Sequence, residues 1–262
     1  MTTAPTGSNR LIGMIQFPGF PHDPGGMASV AAVVDRCARD ADVLLDAGFR
    51  TLMVQNLATC SPWRHETVAE TASVAALLGR LVQRFPEPVW GLNLPSDDPE
   101  ASLAIAYASG AAFVRLKIWI GVMRRAEGTL DGCAAAALSY RHGLGDPPID
   151  IWADVHDRTG APVWPVAFGD AVAAASKAGA ATIVVTGGNP PATIARLAET
   201  RRRAPSVRRI VGGGATPETL AGLISDADGV IIGTYLHEHG DESRPLDPKR
   251  ARRIVAAVPA DA

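Results

Sequence analysis

Residues Arg209–Thr234 read RIVGGGATPETLAGLISDADGVIIGT, and this stretch decides the fold. A short apolar run (RIVG) breaks at consecutive glycines, Thr216-Pro217 then opens an amphipathic segment to Ile224, and a second apolar run (GVIIG) follows. Thr216 is an N-cap residue ahead of a proline at the first helical position, where a missing N–H costs nothing. A strand, a helix and a second strand this close in sequence form a βαβ unit, which implies parallel strands.

The same alternation extends upstream. Further apolar runs occupy Leu11–Phe17, Thr51–Asn56, Pro88–Asn93, Ala112–Lys117, Ile149–Val155 and Ala181–Thr186, followed by Arg209–Gly212 and Gly229–Gly233. Between them, apolar residues recur at helical spacing in Met27–Ala47, Thr67–Arg84, Pro99–Ala108, Val166–Ala178 and Pro190–Ala204, then in Pro217–Ile224 and Pro248–Val258. Gly48, Gly110 and Gly179 stand where left-handed C-caps are expected, and Asp247-Pro248 repeats the N-cap signature. Eight β-then-α units in 262 residues predict one closed (β/α)8 TIM barrel, an α/β fold of about 250 residues. A doubly wound sheet would show Gly-x-Gly-x-x-Gly after the first strand, but that run leads into Pro18-Gly19-Phe20-Pro21. Residues 1–9 are expected to be a disordered tail, and Ile118–Pro148 an elaborated loop with a crossover helix over the barrel mouth.

Bulk properties narrow the function. A net charge of −2 and a pI near 6.3 give no basic face for nucleic acid. Arg201, Arg202, Arg203, Arg208 and Arg209 read as a solvated helix end and turn. Cys37, Cys60 and Cys133 are too scattered for a disulfide framework; Cys37 and Cys133 suit core packing, and Cys60 lies in a polar loop. No run approaches a membrane span and the first ten residues lack a secretory core, so a cytoplasmic protein is expected.

In such barrels chemistry sits at the carboxyl ends of the strands. Alternation turns Phe113, Arg115 and Lys117 inward on the fourth run and Trp152, Asp154 and His156 inward on the fifth. Lys117 and Asp154 are expected to pair across adjacent strands and, with His156, to move protons. Gln16, Gln55, Asn56, Asn93, Arg115 and Thr186 are candidate substrate-orienting groups. Gly187, Gly188, Gly213, Gly214, Gly233 and Thr234, in the turns after the last three runs, are candidates for gripping a phosphate. No cofactor is expected. A divalent metal is left open at Asp154, His156 and Asp157 with His65 or Glu66, although no spacing matches a metal motif. The expected partner is a phosphorylated small molecule; a homo-oligomer is left open.

Several segments also resemble the BtpA/SgcQ family of ribulose-phosphate-binding-like barrels. They are Ile12–Pro21, Val54–Leu57, Glu66-Thr67, Gly91–Pro95, Gly110–Arg115, Val185–Gly188, Asp228–Thr234, Gly240 and Leu246–Arg250. The resemblance spans nearly the whole chain, and Asp228–Thr234 is its most specific piece. It implies the same barrel and two functional directions: photosystem I biogenesis, or nucleoside triphosphate and sugar metabolism. It also implies a histidine where Gln16 stands and often an acid where Gln55 stands; Asp157–Gly160 and Gly188–Pro190 depart as well. The loss of two ionisable rim groups keeps a binding or assembly role as the rival to an enzyme acting by isomerisation or by carbon–carbon or glycosidic bond chemistry.

Overall fold

A computed structural model describes residues 10–56, 65–125, 128–156 and 160–259. The first half runs β1 (Leu11–Phe17), α1 (Val30–Ala47), β2 (Thr51–Asn56), α2 (Val68–Arg84), β3 (Val89–Asn93), α3 (Pro99–Ser109) and β4 (Phe113–Leu116). Next come β5 (Val122–Arg125), β6 (Gly128–Asp131), α4 (Ala134–Gly143), β7 (Asp150–Asp154), β8 (Ala161–Pro162) and α5 (Phe168–Lys177). The chain closes with β9 (Thr182–Val185), α6 (Pro190–Arg203), β10 (Arg208–Val211), α7 (Pro217–Ile224), β11 (Gly229–Ile232) and α8 (Pro248–Ala256).

Eight parallel strands close in the order β1-β11-β10-β9-β7-β4-β3-β2, so the expected TIM barrel is present. Thr216 and Asp247 cap α7 and α8 ahead of their prolines, and Gly48 and Gly110 end α1 and α3 in the left-handed region. The helices pack their apolar faces on outward residues of the strands, among them Val114, Leu116, Ile151 and Ala153. Among the described residues no helix is long and apolar enough to cross a membrane. The tail at residues 1–9 and Cys60 lie outside the described residues.

The segment after β4 differs from a loop with one helix. It folds back as the hairpin β5–β6, which pairs with β8 into a three-stranded antiparallel sheet in the order β6-β5-β8, and only then enters α4. β8 follows β7, so this second sheet ties together the loops after two neighbouring barrel strands. Short strands separated by some thirty residues carry too weak a pattern to be read locally.

The lumen below the mouth is dry. Ile12, Met14, Met53, Phe113, Trp152, Val184, Ile210 and Ile231 form their own buried cluster, with Phe113 and Trp152 stacked at 3.7 Å between ring centroids. Gly91 makes this possible, because a Cβ there would come within 2.1 Å of the Phe113 ring.

Candidate active site

Two residues beyond each lumen residue, the next inward position faces the mouth. Met14 leads to Gln16, Met53 to Gln55, Gly91 to Asn93 and Phe113 to Arg115; Trp152 leads to Asp154, Val184 to Thr186, Ile210 to Gly212 and Ile231 to Gly233. An apolar plug thus carries a polar ring, as strand alternation predicts. Asn93 donates its amide N–H to Gln55 Oε1 at 2.7 Å. Asn93 Oδ1 and Gln16 Oε1 are buried acceptors without a partner among the described residues. A buried acceptor left unsatisfied costs about 1–3 kcal/mol, so both are ready to take donors from a ligand.

Asp154 pairs closely with Arg115. Its carboxylate is bound through both oxygens by Arg115, Nε to Oδ1 at 2.8 Å and Nη2 to Oδ2 at 2.7 Å, both side chains being buried. The planar guanidinium matches a carboxylate as the single point charge of an ammonium cannot. Arg115 lies two residues before Lys117, buried directly above the apolar lumen, where an unpaired cation would be most costly. Gly212 leaves room for it: a Cβ there would lie 3.3 Å from Arg115 Nη2 and 2.1 Å from Thr186 Oγ1.

Lys117 stands above this pair and lines a cavity of about 310 Å³ together with Asp154 and His156, so the three catalytic candidates share one wall. His156 adopts a left-handed φ of 57° and meets Phe168 edge-on at 5.8 Å. Burial, helped by the nearby Arg196 cation, lowers its pKa and favours the neutral imidazole. Asn56, at the end of β2, is buried.

Three groups here were not expected from the sequence. Asp97 is buried in a left-handed conformation (φ 62°) and accepts the Lys117 backbone N–H at 2.5 Å, while its Oδ2 has no partner among the described residues. Burial, against the hydrogen bond from Lys117 and the Arg125 and Lys117 charges, pushes it up to about 6. Arg125 donates to the Pro95 carbonyl at 3.4 Å. Arg196 donates to the Thr186 carbonyl and lies over the Phe168 ring. Asp98 caps α3 ahead of Pro99, and nothing in that motif singles out Asp97. Nothing in the pattern of α6 singles out Arg196.

The glycine turns divide. Gly187 donates its N–H to Thr193 Oγ1 at 2.9 Å, and α6 behind it opens with Pro190-Pro191, which lack N–H groups. Its remaining first-turn amides are taken by Asn189, so this helix start is closed to an anion. Gly213 and Gly214 instead hold φ of 129° and 79° with nothing within 4 Å of a Cβ, and Gly188 is equally uncrowded. Gly233 packs near Met14, and the Thr234 hydroxyl donates to Glu242.

For a metal, Asp157 lies outside the described residues. Among those described, the grouping with ligand atoms within 4.8 Å of one another is His22, Asp23 and Glu70, of which Glu70 adjoins Glu66 of the expected set. Asp23 and Glu70 each already accept a backbone N–H, from Phe20 and Thr67. Burial and the adjacent Glu70 push Glu66 up to about 7 against a Ser96 hydrogen bond; His65 lies 3.4 Å from Asp98. Arg201, Arg202, Arg203 and Arg208 are exposed, with Arg201 matched by Asp226 and Arg203 by Asp170 as at a solvated helix end, whereas Arg209 is half-buried against Asp228.

A closed parallel barrel with an apolar plug and a polar ring at its carboxyl mouth places the chain among the (β/α)8 proteins. A tryptophan synthase structure from Mycobacterium tuberculosis superposes with a TM-score of 0.62 over 96% of this chain and 93% of that one, at 15% identity, a likeness of fold alone. Within that class the chain belongs to the BtpA family, whose model matches residues 7–260. An uncharacterized protein of Pyrococcus abyssi is 30% identical over 96% of both chains. The photosystem I biogenesis protein BtpA of Synechocystis is 28% identical over 95% of this chain and 88% of its own.

Proposed function

We propose that the chain is an enzyme acting on a phosphorylated small molecule by general acid–base chemistry. The observation that carries this reading is the placement of Lys117, Asp154 and His156 in the wall of one cavity at the barrel mouth. Neutral His156 serves as base, since a depressed pKa leaves it free to accept a proton near neutrality. Lys117, on the same wall, supplies the acid or the stabilising charge. Arg115 holds Asp154 rigid, so the carboxylate serves to orient. Gln16 and Asn93 take substrate hydroxyls through their unsatisfied carbonyls.

The anion is received by Gly188, Gly213, Gly214 and the Gly233-Thr234 backbone, with Gly187 excluded because its amide is committed. Cationic Lys117, Arg125 and Arg196 surround the mouth and favour negative charge. A phosphate gripped there would position the reacting end over His156.

The test is a thermal-shift screen of inorganic phosphate and phosphorylated metabolites against the parent and Gly213→Val, then turnover of each hit by Lys117→Met and His156→Gln. Phosphate-dependent stabilisation lost in Gly213→Val, with turnover reduced about 100-fold or more in the other two, is the expected result. Equal stabilisation of parent and variant would move the anion elsewhere, and unimpaired turnover would remove both residues from the chemistry. The neutral amides at Gln16 and Gln55 favour a second reading, a binding barrel without catalysis; a ligand bound tightly and recovered unchanged would establish it.

A further inference from the structure

Among the described residues, the cavity beside Lys117, Asp154 and His156 is polar only along that wall. Its other sides come from Ile120, Val122, Met123, Pro162, Trp164 and Val166, with Ala171 and Ala174 of α5 closing the far end. Three of the surrounding apolar side chains are conspicuously open to solvent: Trp164 at 67%, Val166 at 47% and Val163 at 40%. A structural sheet built only to brace two loops would turn such groups inward. Contiguous exposed apolar surface beside a polar centre instead marks a place where something apolar docks.

We propose that this cavity, between the β5–β6–β8 sheet and α5, receives an uncharged apolar body of the substrate about the size of two fused rings. The reading rests on the function proposed above for the polar wall and adds the substrate class: an anionic head joined to a hydrophobic ring or branched chain. Size sets the upper bound. A cavity near 150 Å³ accommodates benzene, and this one is about 310 Å³. Chemistry sets the kind. Away from the polar wall, Trp164 can donate its indole N–H, but among the described lining residues no side chain there offers an oxygen or nitrogen acceptor to the exocyclic amine of a nucleobase, and a polar edge buried without partners is strongly rejected.

The topology gives the order of parts. β7, which carries Asp154, stands between β4 and β9 in the barrel. The apolar cavity is walled by residues that follow β4 and β7, and the open glycine turn follows β10, beyond β9. A molecule bound at both ends presents its middle to Lys117, Asp154 and His156.

Indole serves as the apolar probe and adenine as a polar ring of the same size, both followed by saturation-transfer NMR and titration of tryptophan fluorescence. Indole is expected to bind saturably and adenine at least 10-fold more weakly. Ala174→Phe, at an exposed position of α5, fills the cavity and should weaken indole at least 10-fold. Val166→Glu, also at an exposed position, should do the same by charging the rim, so a folding defect in one variant leaves the other. Unsaturable indole binding, adenine binding as tightly as indole, or indole binding unchanged in both variants overturns the proposal. So does a concentration-dependent dimer that Val166→Glu dissociates, which would give the patch to a second copy. Indole binding needs neither His156 nor the glycine turn, so its failure and the failure of the acid–base reading are separately visible.

Discussion

Asp154→Asn should destabilise the fold through the stranded Arg115 guanidinium. Both side chains are buried and joined by two short charge-assisted hydrogen bonds. Each such bond contributes about 1.5–3 kcal/mol, and breaking one partner of a buried pair costs about 3–5 kcal/mol. Asparagine keeps one acceptor but turns its NH2 toward guanidinium N–H donors, so about 4 kcal/mol is expected. With an unfolding entropy near 2.1 cal/mol/K per residue, or about 0.55 kcal/mol/K for 262 residues, the melting temperature falls by about 7 °C. The assay is calorimetric melting with urea titration of the parent, Asp154→Asn, Arg115→Met and the double variant Arg115→Met/Asp154→Leu. The double variant removes both charges and should lie closer to the parent than either single change. A loss below about 1 kcal/mol in Asp154→Asn, the worth of an exposed pair, would refute a dry lumen at this level. A double variant as unstable as the summed singles would show that no coupling exists.

Arg196→Met should raise the His156 pKa toward its ordinary value without fully restoring it, because burial is the larger cause; NMR titration of the ring protons reads this directly. In the parent, the unfolded chain takes the His156 proton first, so this residue's contribution to stability falls as pH drops from about 6.5 through the depressed pKa. Asp97 has the opposite sign: its pKa near 6 exceeds the unfolded value, so the folded protein takes up the proton first and gains stability as pH falls from about 7 to 4. Asp97→Asn, which tolerates the left-handed backbone, should therefore be more stable than the parent by up to about 3 kcal/mol near pH 8. The gap should close near pH 4, as paired urea titrations would show. Gly212→Ala should cost about 1–3 kcal/mol by driving a methyl into Thr186 and the Arg115 head; an unchanged melting temperature would mean that Arg115 sits elsewhere.

Much of the barrel was legible because each of its signals is local. A strand buried on both faces is a short apolar run, a helix start is a cap followed by proline, and a left-handed end is a glycine; all act within a few residues. Leu11–Phe17 and Thr51–Asn56 stand in the structure with the bounds read from the chain. Alternation, also local, placed Arg115, Asp154, Gln16, Gln55, Asn93 and Thr186 on the inner face, because a side chain's face depends only on parity along its own strand.

Which of those inward groups meet is a different matter. Asp154 is met by Arg115, a buried cation one pleat before Lys117 on the inner face, and only the closed barrel sets that distance. Asp97 and Arg196 entered the site from a loop and a helix whose own sequences point to capping and to solvent. At Gly187, too, only the fold brings the Thr193 hydroxyl to the amide. The β5–β6–β8 sheet pairs segments far apart in the chain, and so does the apolar cavity it builds. The sequence by itself determined the barrel and the inward face of each strand, because those depend on neighbours along the chain. The ion pair, the displaced pKa values and the cavity depend on distances between strands and loops, which exist only once the barrel has closed.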